Sequence, residues 1–295
     1  MSKHLQPGIL AMGSRSHFYL ELDVPDLGQA AEVLEIAGDG LSEPRATTGG
    51  ANLVVGFSPR LWAELGDVPA GLRDFTAVTG PDGFTMPATQ HDIWVWASAG
   101  GADVVWDVAR AAAAAFGPVA TLATQQGAFT YRASRDISGF EDGTENPPLS
   151  EAPAIASVPD GEPGEGGSVV LVQRWVHDLD AFHERTEEEQ EAIIGRTKGS
   201  SEELDDAIRP ETSHISRVVI EEDGEELEIF RRSTSFGDVI EHGLVFVGFS
   251  GDATLLDRML QRMVGNDGPR DALTTWTTPV TGAYYYCPPA EAFVS

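Results

Sequence analysis

HDIWVWASAGGADVVWDV, His91–Val108, and HGLVFVGFSGDATLLDRM, His242–Met259, align without a gap. Each begins with an apolar run of strand length, rich in aromatic or β-branched residues. Each then turns on a few small residues and continues with apolar positions at helical spacing. A strand–turn–helix unit that recurs within one chain suggests two copies of a single module, although any strand-to-helix connection can share such a pattern by chance. The expected class is therefore α+β, and the duplication says more about the fold than any one element does.

Outward from the first copy, His17–Leu22 alternates as a strand and Asp26–Ala37 is an apolar-periodic helix. Leu53–Phe57 is a second strand, followed by a helix with Ser58 as cap and Pro59 in its first turn. Asp92–Ala97 leads into a helix at Ala102–Phe116 that Gly117 and Pro118 stop. In the second half Ser168–Trp175 is a strand, and Thr186 with Glu189 forms a capping box that opens a helix reaching Ile194. Pro147–Gly167, dense in proline, glycine and glutamate and without apolar period, lies between the halves. The modules expected are residues 1–146 and 168–295, with 147–167 as linker or long surface loop. Val218–Glu222 and Glu225–Phe230 read as a hairpin about Asp223-Gly224, a strong two-residue turn signal. Paired residue numbers then sum to 447, which sets Ser216 opposite Arg231 and brings His214 and Arg231 to the same end of one ribbon. The like charges of Glu222 and Glu225 beside the turn oppose that pairing weakly.

Composition narrows the function classes. The chain has 295 residues, 41% of them hydrophobic, enough for one large domain or two of ordinary size. A single cysteine, Cys287, excludes an internal disulfide and any multi-cysteine zinc or iron–sulfur site. Gly8–Gly13 is too short for the core of a signal peptide, and no stretch approaches the ~20 apolar residues of a membrane span. The expected location is the cytoplasm. The net charge of −28 opposes a nucleic-acid partner. It has two readings, solubility or a salty habitat on one side, and attraction of cationic substrates or a manganous ion on the other.

Seven histidines, at positions 4, 17, 91, 177, 183, 214 and 242, include no close helical pair of the zinc-binding kind. A lone histidine is usually a surface or satisfied core residue. His214 stands out because the hairpin brings it an arginine, and a fixed cation beside a metal ligand is useful where an anion develops. GFEDGTENP, Gly139–Pro147, is a glycine-bracketed acidic turn at the start of the inter-module segment. Taken alone it is a turn former. As a calcium loop its Asp142, Thr144 and Asn146 lack the bidentate glutamate at the required spacing.

The GxxDG motif in GFEDGTENP, His214 within SHISR and Arg231 within FRRSTSFG resemble, in order and approximate spacing, the dye-decolorizing peroxidases, most closely their B-type branch. The likeness runs from Gln6-Pro-Gly-Ile to Thr281-Gly-Ala-Tyr, nearly the whole chain, and the combination is specific where each motif alone is weak. It implies a pair of ferredoxin-like modules, which accounts for the internal repeat. It also implies one haem b per chain, held without covalent attachment because no Cys-x-x-Cys-His is present. By resemblance, His214 is the proximal iron ligand, Asp142 the distal aspartate and Arg231 the distal arginine. Gly143 and Thr144 are placed with them at the cofactor. Adjacent strand residues face opposite ways, so Arg231 and not Arg232 enters the pocket. Ser233 faces with Arg231, where many B-type relatives carry asparagine. Arg196 is read either as a partner of a haem propionate or as a solvated helix-end cation. Asp271 is read either as acceptor of the second imidazole proton of His214 or as a surface aspartate.

The activity so implied is peroxidatic: hydrogen peroxide is reduced, and organic donors such as dyes and phenolics are oxidised in single-electron steps, some of the tryptophans and tyrosines relaying electrons. The alternatives are an enzyme that releases haem iron or modifies the porphyrin, and a haem carrier or sensor without turnover. Neither nucleic acid nor membrane is an expected partner, and a homo-oligomer is compatible with the reading. B-type relatives are often cargo of nanocompartments through a C-terminal extension, and no such tail is expected here after Cys287-Pro-Pro.

Overall fold

The computed structural model describes residues 3–41, 50–132 and 134–293. The first half contains strands β1 (Ser16–Asp23), β2 (Asn52–Phe57), β3 (Ile93–Ala99) and β4 (Thr121–Phe129), with helices α1 (Ala30–Leu41) and α2 (Ala102–Phe116). Its strands lie in the order β4-β1-β3-β2, all antiparallel, which is the ferredoxin-like arrangement. The second half repeats it. Strands β5 (Ser168–His177), β6 (Thr234–Gly237), β7 (His242–Ser250) and β8 (Ala283–Cys287) pair in the order β6-β7-β5-β8. The repeat noted in the sequence is thus the third strand of each unit and the helix that follows it. Ala102 and Ala253 open the two helices one residue after their caps, Gly101 and Asp252.

The two sheets join edge to edge. β6 pairs with β4 through Ser235 and Phe236 against Phe129 and Ala128, and β8 pairs with β2 through Tyr286 against Phe57. With β7 paired to β5, the ring of eight strands closes into a barrel, and the edges that would otherwise be open templates for aggregation are consumed. Strand alternation divides the core. Trp94, Trp96, Val170, Val172, Phe249 and Tyr285 fill the barrel interior, while their neighbours Ile93, Val95, Leu171 and Tyr284 pack outward beneath the helices. Because both faces are buried, these strands read as continuous apolar runs in the sequence.

The caps form as the residue types dictate. Ser58 accepts the Leu61 N–H with Pro59 in the first turn, although that helix stops at Trp62. Thr186 and Glu189 make both bonds of a capping box on α3 (Glu187–Ile194), which ends at left-handed Gly195.

The long hairpin does not form as the sequence suggested. Glu221 pairs with Glu226 and Glu222 with Glu225, in the expected register, about left-handed Asp223 and Gly224. The ribbon ends almost at once. Its N-terminal arm begins as a short helix, α4 (His214–Val218), which Ser213 caps by accepting the Ser216 N–H. Phe230 and Arg231 pair with Phe249 and Gly248 of β7 instead. Ser216 therefore does not face Arg231. The serine cap and the pairing capacity of β7 outweigh a turn signal that carries four glutamates.

Gly243 tests the tightness of this packing, since a Cβ there would lie 1.8 Å from the Trp175 carbonyl oxygen across the β7–β5 pairing. Gly243→Ala is expected to lower unfolding stability by about 3 kcal/mol, the upper range for overpacking. Gly127→Ala, whose nearest neighbour is a ring carbon of Phe18 at 3.7 Å, should be nearly neutral by the same denaturant titration.

Candidate active site

The chain between β5 and β6 is much longer than a plain ferredoxin crossover, and it folds over the outer face of the second sheet. Beneath it lies a cavity with about 1450 Å³ of atom-free space, counting the part open to solvent. Leu171 and Trp175 of β5, Phe246 of β7, and Met259 and Met263 of α5 (Ala253–Met263) form much of an apolar wall. His214, Asp142, Gly143, Thr144, Arg196 and Arg231 all line this one space.

His214 is the first residue of α4, and its Nδ1 lies 2.7 Å from Asp271 Oδ2. Asp271 is fully buried and its other oxygen accepts the Leu273 N–H at 2.8 Å, capping a helical turn. The carboxylate is thus fixed by the backbone and in turn fixes the imidazole. With Nδ1 engaged, Nε2 is the free nitrogen, and it takes no hydrogen bond among the described residues.

Asp142 and Arg231 arrive from different elements, and Asn146 couples them. The Asn146 side chain donates to the Arg231 carbonyl and accepts its N–H, both at 2.8 Å. The turn that carries Asp142 is thereby tied to the strand that carries Arg231. Burial pushes the Asp142 carboxyl above its ordinary value. Arg231 pulls it down, Asp136 pushes it up, and the Gly143 N–H and His214 pull it down, without cancelling the rise. Arg231 makes no side-chain hydrogen bond among the described residues, so its guanidinium is available to a ligand. Arg232 turns the other way. It bonds the carbonyls of Ile9 and Ala11 and lies 4.9 Å over the Trp96 ring inside the barrel.

Arg196 reaches the cavity wall, but its guanidinium is taken by Glu145, by Glu203 at 2.8 Å and by the Ser201 carbonyl at 2.6 Å. Ser233 lines a second, adjoining cavity and not the first, and its buried hydroxyl has no partner. Sequence reasoning missed Asn146 as a clamp. It also missed Asp136 and His177, which sit 3.1 Å apart in the main cavity wall, with His177 Nδ1 2.6 Å from Thr277 Oγ1. Burial pushes Asp136 up, but the bond and charge of His177 and two bonds from Ser138 outweigh it and hold the carboxyl low. The alternation of β5 could have placed His177 on the face of Leu171 and Trp175. Nothing local signalled Asp136.

A pair of ferredoxin-like sheets closed on each other, with His214, Asp142 and Arg231 lining one cavity of mainly apolar surface, defines an α+β protein with room for a large, mainly apolar ligand on the outer face of its second unit. The chain belongs to the Dyp-type peroxidase family, matching its N-terminal domain over residues 6–130 and its C-terminal domain over residues 133–292. It is 35% identical over 255 residues to the dye-decolorizing peroxidase of Rhodococcus erythropolis, covering 84% of this chain and 74% of that one. It is 34% identical to the dye-decolorizing peroxidase of Mycobacterium tuberculosis, covering 80% and 73%. The crystal structure of DyPB from Rhodococcus jostii RHA1 superposes with a TM-score of 0.91 at 31% identity, covering 100% and 99%, which agrees with the B-type branch. A variant of that protein in complex with heme superposes with a TM-score of 0.89.

Asp271→Ala is expected to destabilise the fold by about 2 kcal/mol, since the Leu273 N–H and the His214 imidazole both lose a buried partner. Asp271→Asn, which keeps an oxygen for the cap, should lose less in the same chemical denaturation series. Equal losses would mean that the bond to the Leu273 N–H contributes nothing and that the carboxylate at His214 carries the whole effect.

Proposed function

We propose that this chain is a haem-dependent peroxidase that reduces hydrogen peroxide and draws single electrons from organic donors, with His214 as iron ligand. The reading is supported above all by the His214–Asp271 pair in the wall of an apolar cavity that Asp142 and Arg231 also enter. The residues fit the group. A neutral imidazole with its Nδ1–H donated to a buried carboxylate is oriented and made more basic at Nε2, as an iron ligand requires. The apolar walls suit a porphyrin, and Gly143 and Thr144 fall at the same surface. Arg196 could meet a propionate only by releasing Glu145 or Glu203. The one cysteine, Cys287, is buried and offers no attachment, in keeping with haem b.

When bound, the haem supplies the redox centre at which the peroxide bond is cleaved. The chain supplies proton movement and charge. Asp142, while ionised, takes the proton from the near peroxide oxygen and returns it to the far one. Arg231 stays cationic throughout and stabilises the negative charge on the departing oxygen. Tied together by Asn146, the two act on one small volume. The net charge of −28 argues for cationic or neutral donors and against nucleic acid. No helix among the described residues is long and apolar enough to cross a membrane, which is compatible with the proposed cytoplasmic location.

Stopped-flow mixing of haem-loaded protein with peroxide tests the division of labour. Arg231→Leu is expected to slow the peroxide-induced change in haem absorption more than Asp142→Ala does, at equal haem content. In the wild type the rate should fall as pH drops through the carboxyl's pKa. Burial places that fall above the ordinary aspartate range, and Asp142→Ala should flatten it. A larger loss in the aspartate variant would make proton transfer the dominant contribution.

A further inference from the structure

Behind Arg231 lies the second cavity, which shares Asp142, Gly143, Arg231 and Leu244 with the first. Its charge is opposite to that of the protein. Arg15, Arg135, Arg231 and Arg232 line it, with Asp142 as the only carboxylate among the described lining residues. A chain of net charge −28 has gathered four of its 19 lysines and arginines around one small space. His17, also in the wall, is held down to about 4 by burial and by Arg232, so it is neutral and leaves the imbalance unchanged.

The cations are poorly compensated. Among the described residues Arg232 bonds the Ile9 and Ala11 carbonyls, which are neutral acceptors, and lies over the Trp96 ring, with no carboxylate bonded to it. Arg135 bonds the Gly139 and Lys198 carbonyls and reaches Glu141 only at 3.9 Å. The guanidinium groups of Arg15 and Arg231 have no hydrogen-bond partner among the described residues. The Ser233 hydroxyl in the same wall is buried and equally unpartnered. Unspent donors around a partly enclosed, net-positive space are what recognition of an oxyanion requires.

We propose that this antechamber binds a small oxyanion or carboxylate, held between Arg15 at the rim and Arg231 at the inner end. The bulk field repels such an ion, so occupancy depends on the local arginines rather than on net charge. Because Arg231 serves both cavities, a bound anion withdraws that guanidinium from peroxide. Anion and peroxide are then antagonists, a consequence that rests on the peroxidase reading, whereas anion binding itself does not.

Isothermal calorimetry of the haem-loaded protein with potassium sulfate, at ionic strength held constant with potassium chloride, tests the site directly. The Arg15 side chain is exposed and makes no hydrogen bond among the described residues, and its backbone bonds to Ala99 and Thr130 do not depend on the side chain, so its replacement should leave folding and basal turnover unchanged. Saturable binding of one sulfate is expected, weakened about fivefold in Arg15→Ala, the scale of one exposed charged contact, and largely restored in Arg15→Lys. The haem absorption spectrum should not change during the titration. Absence of saturable binding, equal binding by Arg15→Ala, or binding that shifts the haem spectrum as an iron ligand would, each overturns the proposal. None of these results bears on whether peroxide is consumed.

Discussion

Closure of two four-stranded sheets into one barrel is the constraint from which the rest of the structure follows. Each sheet alone would present two open edges and one unfilled face. Joined through β4–β6 and β2–β8, they hide the edges and fill the interior with Trp94, Trp96, Tyr285 and Phe249. The interior is then too densely packed for a prosthetic group. A ligand must lie on an outer face, between sheet and helices, and the second unit makes room there by lengthening its first crossover. The first unit keeps its outer face covered by α1 and α2.

Within that space, function depends on how firmly a few polar groups are held. Asp271 is fixed by a backbone N–H before it orients His214, and Asn146 fixes the Arg231 backbone before that guanidinium meets anything. Side chains held in this way cost little reorganisation when charge develops, which is how preorganised sites accelerate reactions. The first cavity presents mainly apolar surface but has six carboxylates among its lining residues, and the second is polar with excess positive charge. Asp142 and Arg231 stand at the boundary between them.

Much of this was legible in the sequence, for identifiable reasons. The repeat at His91 and His242 showed the duplicated unit because a strand buried on both faces and an amphipathic helix leave strong patterns. The Thr186–Glu189 box and the helix at Ala102–Phe116 were readable because caps and breakers act within a few residues. The hairpin was misread for the converse reason. Asp223-Gly224 does set the register, but how far the ribbon runs is decided by β7, which is distant in sequence. His214 and Arg231 do share a cavity, though through α4 and a strand of the main sheet rather than through one ribbon. Barrel closure, the Asn146 clamp and the second cavity all depend on contacts between distant segments, so no local pattern announced them.

The central claim is that His214, oriented by Asp271, is the chain's bond to haem iron. The most direct test is the ferric absorption and resonance Raman spectrum of haem-loaded His214→Gly, with and without added imidazole. The account predicts loss of the wild-type spectrum and weakened haem retention, both restored by imidazole, with His177→Gln keeping the wild-type spectrum. A His214→Gly protein that shows the wild-type ferric spectrum without imidazole would contradict it.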